Sequence, residues 1–192
     1  MDRRAAGAEL RDIPTKGRAV MARILILTAA LLLIGSVACS IEIDFDTPPE
    51  IAYGEEVCEE CGMIISEARF AAAYVTTDGD VRKFDDPGGM IDHHLRDQED
   101  VAVFWLHDFD SAEWIRSENA VLLAAEEIQI PMGHGVVAFG DQARVRAYAG
   151  LLEHGDEDQL RPWNETLKAF EDGLVRFTHD ADGSHVIELT QH

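Results

Sequence analysis

From residue 69 onward the chain reads as short apolar runs cut by turn residues, with two stretches of helical spacing between them. The run "RFAAAYVT" (residues 69–76) predicts a strand, "TDGD" supplies an Asp-Gly turn, and "VRKF" returns as the second arm of a hairpin. In "DDPGGMIDHHLRD" an Asp caps a helix whose first position is Pro87, and "VAVFWLHDF" (residues 101–109) is a strongly apolar strand. The second half repeats this order. "AEWIRS" and "AVLLAAEEI" read as strands, "GVVAF" as another, and "GDQARVRAYAGLL" as an amphipathic helix opened by Asp141. Each half holds a strand ending in Phe (Phe84, Phe139), then Asp, then a helix. "RPWNETLKAFEDG" predicts a last helix, followed by a short terminal strand or tail. The class is α+β, with two similar β-rich units that carry one helix apiece.

The N-terminal part follows a different pattern. "MARILILTAALLLIGSVACS" has an Arg near its start, an uncharged apolar run over residues 24–37, and small residues before Cys39. These are the proportions of a signal peptide, and the run is too short for a spanning helix. "GSVAC" resembles the lipobox of bacterial lipoproteins, with Cys39 as the lipidated residue and Met21 as the natural start. The organisation expected is a signal peptide at 1–38, a lipidated tether at 39–55, units at 56–110 and 111–155, and a C-terminal helix and tail at 156–192. The tether is acidic and carries a Pro-Pro pair, which suits a spacer off a membrane. The 192-residue chain carries a net charge of -21, and loss of the first 38 residues would make it -24. Such an excess of acid argues against nucleic acid, where Lys and Arg must neutralise phosphates. With Cys39 lipidated, Cys58 and Cys61 are the remaining thiols, in the cell envelope outside the cytoplasm.

Candidate chemistry centres on "VCEECGMIIS", residues 57–66. A redox CxxC needs a thiol of lowered pKa, whereas Glu55, Glu56, Glu59 and Glu60 flank these sulfurs and would raise it. Structural zinc wants four ligands, and the adjacent His93 and His94 supply no second spaced pair. Cu(I) is soft and takes few ligands, so Cys61 and Met63, with the flexible Gly62 between them, suit it best. A disulfide between Cys58 and Cys61, with Met63 as filler, is the plain alternative. Met132 and His134 lie on a Gly-rich turn, where a buried Met with an exposed His is as good a reading as a ligand pair. Met90 reads as helix core, His93 and His94 as solvated surface, and His107, His154, His179, His185 and His192 likewise as surface. There is no Ser/His/Asp signature, phosphate loop or HExxH motif.

"CEECGMII", "FDDPGGM" and "PMGHGVVAF", in that order behind a lipobox, resemble the NosL family of lipoproteins accessory to nitrous oxide reductase. The resemblance runs from about Cys58 to about Leu152. It implies a fold of two ββαβ-type units related to organomercurial lyase, in agreement with the repeat, and a Cu(I)-binding metallochaperone, not an enzyme, that is anchored to the envelope membrane. It implies as partners the apo form of nitrous oxide reductase and its transporter complex. Carried over by position, the ligands expected are Cys61, Met63 and Met132, with Cys58 or His134 completing or relaying the site. Gly89 stands where many relatives have Cys, and His134 where small residues are common. The rival from another class is an envelope thiol-disulfide oxidoreductase, or a lyase, using the CxxC pair.

Overall fold

The computed structural model describes residues 43–153, 159–179 and 185–189. The expected signal peptide and the lipidated Cys39 lie outside these residues. No helix among the described residues is long and apolar enough to cross a membrane.

The first unit is β1 (Ala72–Thr76), β2 (Val81–Phe84), α1 (Pro87–Asp97) and β3 (Val101–His107). The strand β1 lies centrally and pairs antiparallel with both β2 and β3, and β4 (Trp114–Arg116) extends the sheet to the order β2-β1-β3-β4. All five residues of β1 are buried, so the strand is a continuous apolar run closed by Thr76 and lacks the alternation of a half-exposed strand. It starts at Ala72, three residues later than the pattern predicts, because residues 68–71 form a turn in which the Ala71 amide donates to Ala68 O at 3.0 Å. At the head of α1, Asp86 Oδ1 accepts from the Gly89 amide at 2.7 Å, and Pro87 follows in the first helical position. The helix ends at Gln98, which takes the left-handed conformation at φ 53°.

The second unit repeats the topology. Strand β5 (Val121–Ala124) lies between β6 (Val136–Phe139) and β7 (Leu160–Pro162), with α2 (Gln142–Ala149) after β6. Asp141 caps α2 as Asp86 caps α1, accepting from the Arg144 amide at 2.9 Å. The third strand of this unit therefore falls beyond residue 155. At three residues ending in Pro it carries too little pattern to be read from sequence. After it come α3 (Trp163–Glu171) and the antiparallel hairpin β8 (Val175–His179) and β9 (His185–Leu189).

The two units share one core in which Ala72, Tyr74, Phe84, Met90 and Leu106 of the first pack with Leu122, Ala124, Val136 and Ala138 of the second. Asp108, just past β3, braces the junction. Its carboxylate accepts from Arg144 at 2.7 and 2.6 Å and from the Gly140 amide at 2.7 Å, while the next residue, Phe109, donates its amide to Ala138 O at 2.8 Å.

Burial alone would raise the pKa of Asp108, but Arg144 and the amides of Gly140 and Ser111 outweigh it and hold the carboxyl well below the usual range. A depressed carboxylate contributes stability that is complete above its unfolded pKa and is lost as pH falls below about 4. Asp108→Asn should therefore cost on the order of 2–4 kcal/mol at pH 7 by urea unfolding, and less as pH falls. An unchanged midpoint at pH 7 would exclude this role.

Candidate metal centre

The loop of residues 57–64 is closed at its base by an antiparallel bridge between Val57 and Ile64. Inside it the Cys58 amide donates to Met63 O at 2.7 Å and the Gly62 amide to Cys58 O at 2.9 Å. Gly62 takes φ +71°, a conformation costly for any residue with a Cβ, so this tight return requires glycine. The Met63 amide points back at Cys61 Sγ, 3.4 Å away. The three sulfur-bearing residues differ in accessibility. Met63 is 45 % exposed, Cys61 is half-buried, and Cys58 is 1 % exposed against Ile65 and Phe84 of the core.

Beneath the loop lies Asp85, 2 % exposed, with its Oδ2 3.8 Å from Cys61 Sγ. Both thiols are free. The two sulfurs and an Asp85 oxygen lie within 4.8 Å of one another, the one such cluster of potential metal-binding groups among the described residues. Asp85 Oδ1 is buried and makes no hydrogen bond. Burial pushes up the pKa of both thiols and of Asp85, with Asp86 adding to the rise at Asp85. The thiols are raised as expected, but for a different reason. Glu56 is paired with Lys83 at 2.6 Å and Glu60 with Arg96 at 2.6 Å, so two of the four flanking acids have their charge met, and the rise at the thiols comes first from burial.

The next residue, Asp86, faces the other way. Its Oδ2 accepts from the Met132 amide at 3.3 Å, and both its oxygens lie within 3.0 Å of His134 Nδ1. His134 is fully buried, contrary to the exposed reading. Gly88 lets it approach α1 closely, and the edge of its ring meets Phe177 of β8 with centroids 4.4 Å apart. Met132 is half-buried on the same turn. The fold thus gathers Cys58, Cys61 and Asp85, sets Met63 at the outer rim, and ties the Met132 and His134 turn to the adjacent Asp86. His134 does not join the sulfur and carboxylate cluster.

Three other histidines read as surface are not. His93 is buried between Glu60 and Asp97, and half-buried His94 packs edge-on to Tyr74 and Phe104. His107 is buried 3.7 Å from the Trp114 ring, with Nδ1 donating to Ala112 O and Nε2 accepting from Tyr53. Burial drops its pKa to about 4, so it stays neutral. Met90 is helix core, as expected. The side chains of His154, His179, His185 and His192 lie outside the described residues.

Asp85 is the site residue missing from the sequence reading. The internal repeat held a signal for it: "FDDP" in the first unit aligns with "FGDQ" in the second, which sets Asp85 against Gly140.

Fold and site together define a two-unit α+β domain with a sulfur-rich candidate metal pocket at the head of its first helix. The chain belongs to the NosL family, whose model matches residues 50–156. The crystal structure of the copper chaperone NosL from Shewanella denitrificans is similar in fold, at TM-score 0.50 and 19 % identity. The match covers 62 % of this chain and 96 % of that one. No curated protein sequence matches this chain.

A Cβ on Gly88 would stand 2.2 Å from His134 Cβ, whereas one on Gly89 would meet nothing nearer than 3.5 Å. Gly88→Ala should therefore destabilise the protein by about 1–3 kcal/mol, with Gly89→Ala neutral or better. Thermal unfolding of the two variants checks the contrast, and equal midpoints would refute the packing argument.

Proposed function

We propose that the protein is a Cu(I)-binding metallochaperone, not an enzyme, anchored by lipid at Cys39 to the envelope membrane and facing the periplasm or exterior. The observation that carries this reading is the cluster of Cys58, Cys61 and Asp85 beneath the exposed Met63. Thiolate and thioether are the donors a soft monovalent ion prefers, and few ligands suffice for it. The order from exposed thioether to half-buried thiol to buried thiol suits an ion handed over by ligand exchange. Met63 and Cys61 are the first contacts, Cys58 completes the site, and Asp85 places a carboxyl group beside the two sulfurs. Met132 is a further thioether on the turn held by Asp86, and His134 acts through Asp86. Membership of the NosL family and the likeness to a copper chaperone support the metal. The order of motifs behind a lipobox supports apo nitrous oxide reductase and its transporter complex as the partners.

The rival, a thiol-disulfide oxidoreductase, needs an attacking thiol of lowered pKa. Burial moves both thiols the opposite way, and Cys58, the first of the pair, is sealed in the core.

Competitive titration of the reduced protein against a chromophoric Cu(I) chelator, with Zn(II) in parallel, tests the reading. Binding of one Cu(I) in preference to zinc is expected, with most of the affinity lost in Cys61→Ser. Unchanged binding in that variant, or tighter zinc, would overturn the assignment. Because protonated thiols must release protons on binding, affinity should fall by up to about a hundredfold per pH unit as pH drops. A pH-independent affinity would exclude the thiols as ligands.

A further inference from the structure

The metal loop is held to the rest of the domain in an unequal way. Its base is the Val57 and Ile64 bridge, and the Glu59 amide donates to Lys83 O of β2 at 2.9 Å. On the other side its polar hold on α1, among the described residues, is one carboxylate, that of Glu60, which sits between the two cysteines. Glu60 Oε1 accepts from Arg96 Nη1 at 2.6 Å, and Oε2 lies 3.1 Å from His93 Nδ1. The receiving groups are themselves fixed. Arg96 Nε donates to Asp97 at 3.1 Å, and the His93 ring packs against Phe84 with centroids 5.2 Å apart. The stem of Glu60 lies against Gly89, whose missing Cβ would fall 3.8 Å from Glu60 Cβ.

We propose that Glu60, gripped by Arg96 beside His93, is a latch that positions the thiol pair by holding the loop shut over Cys58. Its release is the motion that admits and discharges the ion. The first statement stands on the metal-free loop, and the second rests on the copper reading above. The Gly62 amide to Cys58 carbonyl bond ties the two cysteines into one turn, so release of the Glu60 anchor would loosen the cover over Cys58. Its chemistry suits release. Glu60 is 13 % exposed but Arg96 is half in solvent, and an ion pair open to water on one side breaks at small cost. An apolar anchor at this point would couple opening of the loop to loss of the core.

The test uses the reduced full chain and a small thiol alkylating reagent, with labelling of Cys58 resolved from that of Cys39 and Cys61 by peptide mass mapping. Two variants break the latch with opposite effects on local charge. Glu60→Gln removes a negative charge near the thiols and Arg96→Met removes a positive one. Both should raise the Cys58 labelling rate about fivefold or more at an unchanged thermal midpoint, and the double variant should add little beyond either. Glu60→Asp should recover part of the protection. Labelling that rises in Glu60→Gln and falls in Arg96→Met would mean electrostatic tuning of the thiol, and would overturn the latch. No change in either variant would overturn it as well. Release of Cu(I) to a chelator should speed up in the same two variants. Faster labelling without faster release would overturn the release step and leave the latch, whereas a wild type that holds no Cu(I) would sink the chaperone reading instead.

Discussion

Two adjacent buried carboxylates at the head of α1 organise this protein. Pro87 disfavours a helical conformation for the residue before it, and Asp86 is accordingly extended, at φ -152° and ψ 161°. In an extended chain successive side chains point to opposite sides, so Asp85 and Asp86 face different loops. Burying a carboxylate is costly unless it is matched by donors or a positive charge. Asp86 is matched by the amides of Gly89 and Met132 and by His134, which fixes the second loop against the helix. Asp85 is left with a buried oxygen that makes no hydrogen bond, on the side where the thiols lie. One dipeptide therefore supplies both the rigidity of one loop and a buried oxygen without a hydrogen bond beneath the other.

The repeat explains where this pair came to matter. Both units place a central first strand between the two that follow and open their helix with an aspartate cap. They diverge one residue before the cap. In the second unit that position is Gly140, whose amide donates to Asp108 and locks the units together. In the first it is Asp85, under the cysteine loop. The same junction serves as a brace in one copy and lies under the candidate metal site in the other.

Much of this was legible in the chain because the punctuation is strong. The Asp-Gly turn before β2, the Asp-Pro opening of α1 and the apolar run of β3 each have a local physical cause. Cys58, Cys61 and Met63 stood out because soft side chains are scarce in this sequence. Asp85 did not, since one carboxylate among 37 acidic residues carries no mark of its own. Nor did the burial of His93, His107 and His134, which depends on partners far away in sequence: His134 is covered by Phe177 and fitted against Gly88, and His107 is bonded to Tyr53. The flanking glutamates misled on cause for the same reason. The charges of Glu56 and Glu60 are met by Lys83 and Arg96, residues that no local window joins to the cysteines.

Placing Met63 at the surface has a chemical consequence of its own. A thioether within reach of an incoming ion is equally within reach of peroxide, and its oxidation to the sulfoxide replaces a soft sulfur donor with a hard oxygen. Met90, which has no exposed surface, is sheltered from that reaction, and so is Cys58. The loop therefore keeps its most buried sulfur out of reach of oxidants and leaves its most exposed one open to them, so the thioether of Met63 depends on sulfoxide reduction in a way that the Cys58 thiol does not.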